Sequence, residues 1–134
     1  MSFDSTQYPH SRLTEKIIGA AMTVHRTLGP GLDEKIYENA LCLELAEQSL
    51  GFSQQEQFPV FYRGRIVGKL IADLIIENKV IVEAKVVDRI ADVHVAQTLS
   101  YLSITGLKVG LVLNFKPVSL AFKRVANIYL DTIS

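Results

Sequence analysis

Near the start of the chain, apolar residues recur twice at helical spacing. Leu13, Ile17, Ala20, Ala21, Val24 and Leu28 share one stripe and predict a helix from Leu13 to Leu28. "LGPGLD" stops it, because Gly29, Pro30 and Gly31 break helices and Asp33 can cap the next one. The second helix, running to about Ser49, sets Ile36, Ala40 and Leu43 beside Tyr37, Leu41 and Leu45, and Gly51 ends it. The period then shortens. "QFPVFY" and "RIVGKLIADLII" read as strands around the tight-turn pair Arg63–Gly64, and "ENK" separates the second from "VIVEAKVV". Helical spacing returns from about 89 to 104 through Ile90, Val93, Val95, Ala96, Leu99 and Leu102, and Gly106 closes that helix. "KVGLVLNF" is continuously apolar, as a buried strand is, "SLAFKRV" predicts an edge strand and "RVANIYLDTI" a final helix. The order α-α-β-β-β-α-β predicts an α/β (α+β) domain, a mixed sheet flanked by helices. Residues 1–11 are expected as a flexible arm and 12–134 as a single domain.

Composition narrows the class. At 134 residues, with 49% hydrophobic and 21% charged side chains, the chain is globular rather than disordered. Its single cysteine, Cys42, excludes an internal disulfide framework and a thiolate metal site. Fourteen basic and fourteen acidic residues cancel, which disfavours a tight non-specific nucleic-acid binder but leaves room for an enzyme that meets phosphates through a metal. "MSFDSTQYPHSR" lacks the apolar core of a signal peptide and no apolar run approaches membrane-spanning length, so a cytoplasmic protein with no membrane partner is expected.

The unusual stretch is "IADLIIENKVIVEAKVVD", where Asp73, Glu83 and Lys85 interrupt the most apolar hairpin. Glu83 and Lys85 share a strand face. If Glu77–Asn78–Lys79 is a three-residue loop, Ile76 pairs with Val80 and Asp73 lies opposite Glu83; a two-residue loop would put the acids on opposite faces. Opposed carboxylates about 5 Å apart repel unless a cation sits between them, and Mg²⁺ suits such oxygen ligands, with the Ala84 carbonyl as another donor. The competing reading is an ion pair on a solvated sheet face.

Asp73, nine intervening residues and then Glu83–Ala84–Lys85 resemble the PD-(D/E)XK nuclease motif, although Ala72 stands where the motif has proline. "GLDEKIY", with Gly31, Glu34 and Tyr37, resembles the GxxExxY family of small bacterial proteins placed within that superfamily. "VHRTLGPGLDEKIYENAL", "ADLIIENKVIVEAK" and "HVAQTLSYLSITGLKVGLVLNF" are similar to that family's segments, and the likeness covers roughly residues 12–130. The resemblance implies a restriction-endonuclease-like α-β-β-β-α-β core and a Mg²⁺-dependent nuclease, with Mn²⁺ as substitute, acting on phosphodiester bonds in DNA. It implies Asp73, Glu83, Ala84 and Glu34 as metal ligands, although Glu34 also fits as an acid complementing the helix dipole. Asp73, Glu83, Lys85 and Gln97 are the implied catalytic set. His94, Gln97 and Tyr101, at i, i+3 and i+7 on one helical stripe, are the substrate-facing candidates, against a solvated face as the plainer reading. A homodimer is a further expectation. The other functional reading is a nuclease-fold protein without turnover that serves as a nucleic-acid-binding or regulatory partner.

Overall fold

In the computed structural model, which describes residues 9–127, the chain forms α1 (Ser11–Leu28), α2 (Glu34–Glu47), β1 (Phe52–Tyr62), β2 (Arg65–Ile76), β3 (Val80–Lys85), α3 (Asp92–Thr105), β4 (Val109–Asn114) and β5 (Ala121–Ala126). The strands form one sheet in sequence order. β1/β2, β2/β3 and β4/β5 are antiparallel, whereas β3/β4 is parallel, as it must be with α3 as the crossover between them.

The centre of the sheet, β3 and β4, is buried on both faces. Ile17, Ala21 and Val24 of α1 and Tyr37, Leu41 and Leu45 of α2 pack with Leu74, Ile76, Val80, Val82, Leu111 and Leu113. On the other face Leu102 of α3 packs with Ile75, Ile81, Val112 and Val125. Burial on both sides explains why β3 and β4 read as continuous apolar runs instead of alternating. α3 comes close to the sheet because β4 offers a glycine there. A Cβ on Gly110 would meet the Thr98 methyl at 2.5 Å.

The glycine turn between α1 and α2 is held from below. Gly29 (φ 72°) and Gly31 (φ 104°) take backbone angles that side chains rarely adopt. The Tyr37 hydroxyl donates to the Gly29 carbonyl at 2.6 Å and accepts the Leu32 N–H at 3.1 Å, while its ring stacks on Phe115 at 4.5 Å. Spacing between the glycine and tyrosine therefore fixes where α2 begins against the sheet. His25, also buried, donates from Nε2 to the Pro117 carbonyl at 2.8 Å and ties α1 to the loop after β4.

Four expectations shift. β1 begins at Phe52, ahead of "QFPVFY", because the polar run Ser53–Gln57 pairs along β2 as the outer strand. α3 begins at Asp92 rather than near residue 89, where Ala91 takes an extended conformation and caps it. Arg124, Val125 and Ala126 belong to β5, hydrogen-bonded to β4, rather than to a final helix; the remainder of that predicted helix from 128 onward lies outside the described residues. The predicted arm overlaps α1 at Ser11, and its residues 1–8 also lie outside them.

Candidate active site

The register between β2 and β3 decides the site. Ile76 pairs with Val80, Ile75 with Ile81 and Leu74 with Val82, so the loop holds three residues, with Glu77 (φ 56°) and Asn78 (φ 55°) both left-handed. Continuing that register sets Asp73 opposite Glu83, but the ladder stops at Leu74↔Val82. In its place the Asp73 side chain takes the backbone bond: the Ala84 N–H donates to Asp73 Oδ2 at 3.0 Å. The ladder on the other side of Asp73 is broken too. β1 pairs Gln54 with Leu74 and Glu56 with Ala72 but skips Gln55, which is left-handed at φ 58°. Ala72 packs in the α3-side cluster and Leu74 in the α1/α2-side cluster, so β2 rolls over at Asp73. A left-handed glutamine inside a strand is the kind of local strain that surrounding structure must hold in place.

Glu83 is 4% exposed and its Oε1 has no hydrogen-bond partner. Burial, then the Asp73 charge, raises its pKa from 4.5 to about 9, against the opposing pull of Lys85. Asp73, half-buried, is raised as well, chiefly by burial and opposed by the Ala84 N–H. Each carboxyl acts on the other, and with its pKa at about 9 Glu83 carries its proton at neutral pH.

A third acid approaches from α2, and it is Glu38 rather than Glu34. Glu38 is 3% exposed and its charge acts on Asp73. Its carboxylate accepts Gln54 Nε2 at 2.6 Å, Gln55 Nε2 at 3.1 Å and Lys35 Nζ at 3.0 Å. Gln55 Nε2 also reaches Asp73 Oδ1 at 3.3 Å and so bridges the two acids. Glu34 stands one turn earlier, is exposed, and takes part in none of these bonds. Both acids lie on the same helical face, so helical spacing alone does not separate them. Gln54 and Gln55, which reach Glu38 from β1, separate the two.

Lys85 lies on the Glu83 face, and its Nζ donates to Gln97 Oε1 at 3.1 Å, joining two of the predicted residues. Asn114, fully buried and beside Lys85 in the β3/β4 register, accepts the Val87 N–H at 3.1 Å and donates to the Val87 carbonyl at 2.8 Å. That amide pins the chain leaving Lys85, a positioning role the sequence reading missed. His94 caps α3: its Nδ1 accepts the Ala91 N–H at 2.9 Å, which places the proton of a neutral ring on Nε2. Tyr101 is half-buried, and burial followed by the charges of Glu83 and Asp73 raises its hydroxyl pKa, so the phenol sits within the field of the acids.

The residues present fit a hard divalent cation as a two-carboxylate site. Glu83 Oε1 is an orphaned buried oxygen, Asp73 lies beside it, and an ion that keeps most of its waters needs little more. Among the described residues no group of three or more His, Cys, Asp or Glu side chains forms a ready metal cage. No helix among them is long and apolar enough to cross a membrane.

Comparison with known proteins bears on the fold and then on the family. The crystal structure of SSO0001 is similar, with a TM-score of 0.56 at 18% identity, over 92% of this chain and 65% of that one. The present chain thus spans about two-thirds of that protein, and the likeness is one of fold. No curated protein matches the chain. The PD-(D/E)XK nuclease superfamily matches residues 11–125, which takes in every helix and strand described above except the last residue of β5. With its α+β, restriction-endonuclease-like fold, this chain belongs to the PD-(D/E)XK nuclease superfamily.

Proposed function

We propose that the chain is a divalent-metal-dependent nuclease that hydrolyses phosphodiester bonds in DNA, a member of the GxxExxY group, working in the cytoplasm and with Mg²⁺ as its ion. The observation that carries this reading is the Asp73–Glu83 pair, two carboxyls brought together in a buried break of the sheet with one oxygen left unpartnered. Asp73 and Glu83 would hold the ion, with the Ala84 carbonyl as a further donor. Bound there, a divalent ion supplies Lewis acidity toward the phosphate and makes water easier to deprotonate. Lys85, oriented by Gln97, donates a hydrogen bond to the oxygen that gains charge or to the attacking water. Gln55 and Ala84 N–H fix the Asp73 carboxyl from two directions. Glu38 acts on the site through Gln55, while Glu34 is exposed one turn earlier. His94, through the Nε2 not engaged by the Ala91 bond, and the Tyr101 hydroxyl are the groups that would meet substrate. A homodimer would let two such sites act on two strands.

The test is cleavage of supercoiled plasmid and labelled oligonucleotides with Mg²⁺ or Mn²⁺, for wild type, Asp73→Ala, Glu83→Gln and Lys85→Ala. Metal-dependent cleavage lost in all three variants is the expected result. Cleavage that survives Asp73→Ala, or none with either ion on DNA or RNA, refutes the reading. A second reading, binding without turnover, is favoured by one observation: among the described residues no third His, Cys, Asp or Glu side chain completes a metal-holding group at the pair. Under that reading the wild type binds nucleic acid and never cuts it.

A further inference from the structure

β2 meets β3 only through Leu74, Ile75 and Ile76, so β1 and β2 continue past the site paired with each other alone. The far part, residues 57–71, is a two-stranded ribbon closed by a two-residue turn at Arg63 (φ 51°) and Gly64 (φ 74°). Two features of this ribbon need explaining. Phe61, Tyr62, Ile66 and Val67 are each 61% to 66% exposed, although a bare hairpin of this kind is marginal in water. The ribbon also holds Arg63, Arg65 and Lys69 and no acid, so the rest of the chain has eleven basic residues (fourteen minus these three) against fourteen acidic ones.

We propose that this ribbon is a DNA-gripping arm that lies in the major groove of a duplex whose backbone passes the Asp73–Glu83 site. The partner is taken from the nuclease reading above, and the arm gives a chain of zero net charge a local basic surface. Three cations along a narrow ribbon, two at its tip and Lys69 further down β2, complement phosphates. Two copies of the chain meeting tip to tip would instead oppose three cations from each. A two-stranded ribbon fits the wide major groove of B-form DNA, and the deep, narrow one of A-form RNA excludes it. The geometry links arm and site directly, because Asp73 and Arg65 lie on the same strand. Eight residues of strand span about 27 Å, the length of about eight base-pair steps. The register shift at Val60/Phe61 adds twist near the tip, and the Arg63 guanidinium rests 5.9 Å over the Tyr62 ring, presenting cation and aromatic together.

The experiment is fluorescence anisotropy with a labelled duplex in chelator, across a salt series, so that binding is read apart from cleavage. We expect Arg63→Gln/Arg65→Gln/Lys69→Gln to weaken binding at least about tenfold and to flatten the log–log salt slope by about 3, the value for three lost phosphate contacts. Unchanged affinity and slope in a triple variant that keeps the wild-type urea midpoint overturns the arm, as does a wild type that fails to bind duplex DNA at low salt or prefers duplex RNA. A wild-type dimer in sedimentation that Phe61→Ser/Ile66→Ser dissociates, with DNA affinity intact, also overturns it. Failure of the nuclease reading has a different signature: no cleavage under any condition while arm-dependent binding persists.

Discussion

Replacing Glu83 by glutamine should make the metal-free protein more stable, and by an amount that grows with pH. The substitution keeps the shape of the side chain and removes its ionisation. In the folded protein Glu83 titrates at about 9, against 4.5 when the chain is unfolded, because burial and the Asp73 charge disfavour its anion. The folded state therefore holds a proton that the unfolded state releases above pH 4.5. Stability present below that pH is lost steadily as pH rises to about 9 and is constant beyond. At about 1.4 kcal/mol per unit, the wild type has given up about 1 kcal/mol at pH 5 and about 3 kcal/mol at pH 7 relative to the acid limit. Glutamine gives up none of this. Urea unfolding in chelator at pH 5 and pH 7 measures it: the variant's advantage should rise from about 1 to about 3 kcal/mol. An advantage that does not grow with pH, or a variant less stable than wild type at pH 7, would refute the claim that Glu83 is buried as the neutral acid. Adding Mn²⁺ should then stabilise the wild type alone.

The same proton governs metal affinity: below pH 9 an ion must displace it from Glu83, so Mn²⁺ affinity should rise about tenfold per unit between pH 6 and 8, with about one proton released per ion in calorimetry in two buffers. A pH-independent affinity would count against Glu83 as a ligand. Gln97→Ala removes the acceptor that Lys85 Nζ holds at 3.1 Å and should slow cleavage about tenfold, the worth of one hydrogen bond, with the urea midpoint and Mn²⁺ affinity unchanged. An equal loss in Mn²⁺ affinity would make Gln97 part of the ion site instead. Gly110→Ala drives a Cβ into the Thr98 methyl at 2.5 Å and should cost about 1–3 kcal/mol, most of it recovered in Gly110→Ala/Thr98→Ser. If the double variant is no better than the single, the contact between α3 and β4 is not what requires glycine.

How far the site was legible in the sequence follows from the range of each interaction. The loop Glu77–Asn78–Lys79 fixed the register of Leu74–Ile76 against Val80–Val82 locally, which brings Asp73 toward Glu83 although the ladder itself ends at Leu74. Lys85 and Gln97 were also within reach, since the strand face and the helix stripe are both periodic. The order of helices and strands through β4 followed from the same periodicity, as the buried faces of α1, α2 and α3 show. Glu38 was not legible, because Glu34 and Glu38 sit one turn apart on the same face and equally suit an acid early in a helix. What separates them is Gln54 and Gln55, which lie in a polar run that no pattern marks as a strand and that becomes one only by pairing with β2. β5 was read twice, as edge strand and as helix, since "RVANIYL" satisfies both periods and only its pairing with β4 decides for Arg124 to Ala126. Local chemistry thus set the two acids facing each other, and long-range pairing supplied what holds them there. The strained residue, Gln55, is where the two meet: its left-handed backbone breaks the ladder beside Asp73 and frees the side chain to bridge Asp73 and Glu38.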